Sequence, residues 1–476
     1  MDNVLCDELL QEIFQKLPSS SSSSSSLVSK RWLHLFRSSR TTLSLRITPH
    51  LSLTLISSLT SFLTHHTSLS SLSLTLSPDP TTTTTFTLSP LLLSAVSSCC
   101  SQLRALRFLT GPVSLRSINS LANSCTHLSS LCISLSRPIF LRWVLEFPCL
   151  KDLSIVLCSG DENGSSHEDE VNGQFGVWES DDVDAELGLE SLCFVGIRGD
   201  DWGLGWLWKS CRKLKKLRLQ SCQGIGGSYS CFVQCLQGVR EIELRTCRSV
   251  VDGVLLKLAE NSHSLNSLLV HDGGSREGLL HFFSQCRSNL QRLDLRLPLD
   301  LDNNHLSAVA VNFRNLSSLR LQSCCLVTGE GLKAIAIATS NGLEELALIN
   351  CDVVEREPGL LATLGQHLRQ LRKLDLSHNE MLLDKELISM LVSCVNLIDL
   401  RLRGCKGITS AAMVSMLRSC KRLENVDMMQ CLGIESEAIE LFVKNSSRLR
   451  RMEVEESKLS DAAKMWASNK FIEVVV

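Results

Sequence analysis

A short apolar motif recurs along most of this 476-residue chain and leaves few folds open to it. Its form is Cys/Asn-x-x-Leu-x-x-Leu-x-Leu-x-x-Cys. Three copies show it in full: Cys211-Arg-Lys-Leu214-Lys-Lys-Leu217-Arg-Leu219-Gln-Ser-Cys222, Cys394-Val-Asn-Leu397-Ile-Asp-Leu400-Arg-Leu402-Arg-Gly-Cys405 and Cys420-Lys-Arg-Leu423-Glu-Asn-Val426-Asp-Met428-Met-Gln-Cys431. The leading apolar residues run from Leu103 to Leu449, with neighbours 22 to 28 residues apart and one gap of 39 between Leu150 and Leu189. In each copy two apolar residues two positions apart face one side of a strand, and the residue between them faces the other. Strands stacked in this way make a parallel sheet whose apolar side needs a cover. The second half of each repeat is expected to supply it as a helix, as at Ala334–Thr339 and Ala411–Leu417.

A fixed period of this size with a Leu-x-x-Leu-x-Leu core is the mark of a leucine-rich-repeat solenoid. The expected fold class is therefore α/β: a parallel inner sheet with outer helices, in which each unit is stable only against its neighbours. Leu69-Ser-Ser-Leu72-Ser-Leu74 reads as an earlier copy and Thr41-Thr-Leu43-Ser-Leu45 as the end of a first one. Phe471–Val476 reads as a last strand that caps an edge which would otherwise invite aggregation. The solenoid is expected over residues 46–476, with an acidic insertion at about 160–187 and a Thr-rich one at about 77–90. From Asp161 to Glu186 there are ten acidic residues and no Lys or Arg. That segment reads as a surface loop, either a tolerated insertion or a regulatory or target-contacting one.

The formal net charge of −2 gives no support to nucleic-acid binding, which needs a basic footprint. No apolar run reaches the length of a membrane span, and the first twelve residues have no basic leader. The 21 cysteines hold a register. Cys158, Cys222, Cys247, Cys324, Cys351, Cys405 and Cys431 fall three residues after the last apolar strand residue. Cys125, Cys211, Cys394 and Cys420 fall three before the leading Leu. These are turn positions that take a small apolar residue, so the thiols are expected to be free and structural. No Cys-x-x-Cys knuckle is available for zinc, and no cofactor is expected. Free thiols point to a reducing compartment, cytoplasm or nucleus. The His residues form no nucleophile motif, and Gly224-Ile-Gly226-Gly227 lacks the rest of a phosphate loop. Of Trp202, Trp206 and Trp208, at least one should pack into the solenoid.

Residues 1–45 do not share the repeat. Leu9, Leu10, Ile13, Phe14 and Leu17 recur at helical spacing, acidic Asp7 and Glu8 stand at the helix start, and Pro18 ends the run. A second amphipathic stretch carries Leu27, Val28, Trp32, Leu35 and Phe36. Two short helices have too small a core to stand alone, so they either cap the solenoid or dock a partner. Leu5-Cys-Asp-Glu-Leu-Leu-Gln-Glu-Ile-Phe-Gln-Lys-Leu-Pro18 followed by Leu27-Val-Ser-Lys-Arg-Trp32 resembles an F-box. With Cys-containing repeats behind it, the chain resembles the F-box/LRR proteins, most like those of plants. The resemblance implies a non-catalytic subunit that binds a Skp-type adaptor, joins a cullin–RING ubiquitin ligase and holds a protein target for proteasomal degradation. Carried over by position, the adaptor-facing residues are Leu5, Leu9, Leu10, Ile13, Phe14, Leu17, Pro18, Leu27, Val28 and Trp32. Cys6 replaces the usual Pro, and Ser19–Ser26 is a serine run where the family often has a short helix. Other readings are a stand-alone LRR scaffold and a small-molecule hormone co-receptor.

The side of the sheet opposite the leucines is the expected target face. Arg218, Arg245, Arg296, Arg320, Arg401 and Arg403 stand there, and arginine is favoured at interface hot spots. Pairs such as Arg218/Glu243 or Asp294/Arg320 are alternatively expected to neutralise each other across strands.

Overall fold

The computed structural model describes residues 5–17, 27–48, 52–77, 88–158, 185–201, 204–225, 230–298 and 300–476. Pro18, the serine run, most of both insertions and Trp202 lie outside the described residues. Two compact units are present: residues 1–217 with 221–235, and residues 218–220 with 236–476.

The first unit opens with α1 (Asp7–Lys16) and α2 (Lys30–Ser39). Strand β1 (Thr42–Ile47) follows at once, so the boundary expected at residue 45 falls inside it. β1 is succeeded by β2 (Ser71–Leu76), β3 (Ala105–Pro112), β4 (Ser130–Leu135), β5 (Asp152–Leu157) and β6 (Ser191–Val195), each paired in parallel with the one before. Strand β7 (Lys216–Gln220) stands at the division. The second unit holds β8 (Glu241–Arg245), β9 (Ser267–His271), β10 (Arg292–Arg296), β11 (Ser318–Gln322), β12 (Glu345–Ile349), β13 (Lys373–Asp375), β14 (Asp399–Arg401), β15 (Asn425–Asp427), β16 (Arg451–Glu453) and β17 (Glu473–Val475). They too form a parallel ladder without gaps or crossovers. The early strand at Thr41–Leu45 and the closing strand in Phe471–Val476 are both observed.

Alternation decides which side is covered. In β10, Leu293 and Leu295 are buried while Arg292, Asp294 and Arg296 face the other way. Helices cover the leucine side, including the two expected ones at Gly329–Ala338 and Ser410–Ser419. Spacing sets the exceptions. The 22-residue repeat after Leu128 has no room for an α-helix and folds a 3₁₀ turn at Arg142–Glu146, with Trp143 buried. The 28-residue repeat after Leu343 breaks its helix into Val353–Arg356 and Leu360–His367 at Pro358-Gly359, where Gly359 is left-handed. Trp206 and Trp208 are buried, and Trp208 packs edge-on between Phe194 and Phe232.

The turn after each strand explains the cysteine register. The residue just before the Cys position is left-handed: Thr246, Ser323, Asn350, His378, Gly404 and Gln430 all have positive φ. Five of these six carry a Cβ, a conformation that costs about 1–2 kcal/mol per residue. Neighbouring repeats hold the turn, since Ser323, Asn350, His378 and Gly404 each donate their backbone N–H to a carbonyl of the next repeat. The Cys then turns inward, and in several repeats it donates its S–H to the preceding repeat, whereas Cys247 and Cys324 donate to Arg245 O and Gln322 O of their own strands. Cys351 reaches Leu321 O at 3.5 Å, Cys405 reaches Leu376 O at 3.1 Å, and Cys431 reaches Leu402 O at 3.0 Å. Asn379 occupies the same position in its repeat. Its Nδ2 donates to Leu348 O and Leu376 O while its Oδ1 accepts from Cys351 N. The position therefore takes a small residue able to donate inward.

All 21 cysteines are unpaired, and most are buried. Among the described residues no helix is long and apolar enough to cross a membrane, and no cluster of three metal-ligating side chains occurs. Burial pushes the thiols of Cys394, Cys405, Cys420 and Cys431 up to about 12. Above the ordinary thiol value of 9.0 the unfolded chain loses these protons while the folded chain keeps them up to about 12. Stability is therefore whole below pH 9 and lost as pH rises, at about 1.4 kcal/mol per pH unit for each such thiol. We predict a melting temperature that falls steeply above pH 9, and a flatter fall for Cys405→Ala with Cys431→Ala. Equal slopes in the two proteins would contradict it. Ellman's reagent should label Cys6, Cys149 and Cys325, which are exposed, well before the buried thiols in the native protein.

Candidate functional site

Two surfaces present chemistry beyond the scaffold's own needs. The first is the amino-terminal helical pair. Ser29 caps α2 by accepting from Trp32 N at 3.1 Å. Arg31 ties the pair together, donating to the Asp7 carboxylate at 2.9 Å and to Leu5 O at 2.9 Å. Leu10, Phe14, Leu35 and Phe36 form the core between the helices, with Leu5, Leu17 and Trp32 packed against it. Phe14 meets Trp32 and Phe36 edge-on at 5.4 and 5.7 Å between centroids. The ten residues expected to face an adaptor thus divide. Leu10 and Phe14 belong to the module's own core. Leu9 (50% exposed), Ile13 (43%), Leu27 (85%) and Val28 (58%) point outward, uncovered among the described residues. A single helical stripe in the sequence is in fact two faces, because Leu9 and Leu10 are about 100° apart on the helix.

Residues 3–43 match the F-box domain family. The amino-terminal module is an F-box domain. No curated protein matches the chain. Three solved structures align with it at low identity. A chain of the yeast Rad7–Elc1 complex is 13% identical, with 98% of this chain and 92% of that one covered and a TM-score of 0.43. The internalin InlF of Listeria monocytogenes is 12% identical, covering 88% and 93%, with a TM-score of 0.32. LegL7 of Legionella pneumophila is 13% identical, covering 54% and 88%, with a TM-score of 0.40. Behind the F-box the chain is a leucine-rich-repeat structure by its own geometry: a repeated strand, a left-handed turn and a covering helix.

The second surface is the open sheet face of the second unit. A groove of about 250 Å³ runs across β9–β14, over Leu269 and Ala347, between Asp294, Arg320, Asp375 and Arg401. The six arginines expected to hold a target are all on this face, and each is engaged. Arg218 grips Glu243 with two hydrogen bonds of 2.8 and 2.7 Å, and Arg245 joins the same carboxylate at 3.0 Å. Arg296 is bidentate on Asp294 at 2.9 and 2.7 Å. Arg403 bridges Asp427 and Glu453 at 2.9 and 2.7 Å, and Arg401 reaches Asp399 at 3.2 Å. Arg320 passes over Ala347 to Asp375 at 3.1 Å. The expected Arg218/Glu243 pair is present. The expected Asp294/Arg320 pair is not, because Arg296 takes Asp294 from within its own strand and the small Ala347 side chain lets Arg320 reach two strands across. The Arg320 Nε is buried without an acceptor. Partial burial works against the charge on Arg401, but Asp399, Asp375 and Asp427 outweigh it and hold the guanidinium above its ordinary value.

The two faces of α1 separate folding from docking. Leu10→Ala removes a fully buried side chain and should destabilise the F-box domain by about 2–5 kcal/mol. Leu9→Ala should change stability by less than about 0.5 kcal/mol. Thermal unfolding of the two variants checks this, and equal losses would show that both residues are core.

Proposed function

We propose that this protein is the non-catalytic target-recognition subunit of an SCF-type ubiquitin ligase, working in the cytoplasm or nucleus. The F-box domain would dock a Skp-type adaptor and so join a cullin–RING ligase. The leucine-rich repeats would hold a protein for proteasomal degradation, with the open face of the second unit as the target surface. The observation that carries this reading is the set of exposed apolar side chains, Leu9, Ile13, Leu27 and Val28, on a segment that matches the F-box family. A module this small gains from a partner that buries them. At about 25 cal/mol per Å², covering four such side chains is a substantial driving force for association. The unpaired thiols suit a reducing compartment. The groove supports the target role because its charged walls are already ordered by ion pairs, so binding there costs little side-chain entropy.

Leu9→Asp with Ile13→Asp should abolish co-purification of a Skp-type adaptor while leaving the melting temperature of the repeats unchanged. Undiminished capture by this variant would sink the reading. Arg320→Glu with Arg401→Glu should weaken capture of the cellular target and leave adaptor binding intact. If target capture is untouched, the open face is not the target surface.

A further inference from the structure

The open face carries arginines that are all neutralised. Seven successive turns of the second unit, the ones that lead into β10 through β16, carry cations that are not. These turns span residues 286–291, 313–317, 339–344, 368–372, 394–398, 420–424 and 446–450. They lie side by side on one rim, because each donates a backbone N–H to the turn before it. Ser317 N reaches Gln291 O at 2.9 Å, Arg372 N reaches Glu344 O at 2.7 Å, Glu424 N reaches Ile398 O at 2.9 Å, and Arg450 N reaches Glu424 O at 2.8 Å.

The turns hold eight cationic residues and two carboxylates. The carboxylates are spent within the rim: Glu344 pairs with Arg372 and Glu424 with Arg450. Six cations remain, namely Arg287, Arg314, Arg369, Lys421, Arg422 and Arg448. All six are exposed, and none has an ion pair among the described residues. Where they bond, it is to neutral oxygens, Arg369 to Gln366 O, Lys421 to Leu417 O and Arg422 to Asn396 Oδ1. The chain as a whole is at −2, so this excess is local. Helix dipoles favour cations near helix carboxyl ends, which accounts for the sign. That effect is small and screened, and it does not require six uncompensated charges in one row.

We infer that this rim docks an acidic polypeptide segment. Seven turns at the strand spacing of about 4.8 Å make a row of about 29 Å, the span of roughly nine extended residues. Arginines on flexible stems suit carboxylates, which they grip with two parallel hydrogen bonds. A single-stranded nucleic acid would want aromatic platforms for its bases. The one aromatic residue in these turns, Phe313, is buried. The rim is distinct from the groove, and the inference holds whether or not the F-box engages an adaptor.

The test uses the full chain and two probes, a fluorescein-labelled 20-residue polyglutamate and an oligothymidylate of the same length, read by anisotropy at low salt. Arg314→Glu with Arg369→Glu and Arg422→Glu should weaken polyglutamate binding at least tenfold with an unchanged melting temperature. Arg245→Glu with Arg403→Glu on the open face should change it less than twofold. The bound state should also weaken as salt rises. If the triple variant fails to fold, Arg314→Gln with Arg369→Gln makes the same comparison with a smaller loss. The inference is overturned if the wild-type chain does not bind polyglutamate, if the open-face variant loses as much as the rim variant, or if the rim variant loses stability but not affinity. Tighter binding of the oligothymidylate, lost in the rim variant, would assign the row to nucleic acid instead.

Discussion

Everything behind the F-box depends on the impossibility of burying a Leu-x-Leu strand within a single repeat. Two leucines on one side of a three- to eight-residue strand find too little cover in their own helix, so the next repeat has to complete it. That requirement fixes the parallel ladder, the left-handed turn that redirects the chain after most strands of the second unit, and the inward donor that follows it in the Cys-bearing repeats. Cys351, Cys405 and Cys431 and their counterpart Asn379 all satisfy a carbonyl of the preceding repeat. The hydrogen bonds run between neighbours, as the leucine burial does, so stability is cooperative along each unit.

The consequence for function is a division of labour among surfaces. The leucine side is sealed. The open face is rigid and electrically balanced, with Glu243, Asp294, Asp375, Asp427 and Glu453 each holding an arginine. The rim of the second unit is neither sealed nor balanced. The F-box domain adds a fourth kind of surface, apolar and exposed, on two helices that share a small aromatic core. Fixed charges on the open face favour selectivity through shape and hydrogen-bond register, whereas flexible cations on the rim favour long-range attraction.

Much of this was readable without coordinates. The period announced the solenoid, because leucine spacing is a direct image of strand alternation. The cysteine register marked the buried turn position after the strand, because a residue repeated with the fold serves the fold. The F-box was legible from Leu5–Pro18 and Leu27–Trp32 as a resemblance, and the family match over residues 3–43 agrees. Short and long repeats were visible in the spacing, although which would become a 3₁₀ turn and which a broken helix was not.

What the sequence determined by itself was everything periodic: strand, turn, covering helix, and the side of the sheet each residue faces. Pairing was settled in three dimensions alone. Whether Leu9 or Leu10 enters the F-box core depends on the angle at which α2 lies against α1. Whether Arg320 meets Asp294 or Asp375 depends on the reach of a long side chain across Ala347 and on Arg296 having taken the nearer carboxylate. The rim cations were in plain sight in the sequence, but their lack of carboxylate partners was not. Partnership is a matter of distances between repeats, and a periodic pattern in one dimension does not contain them.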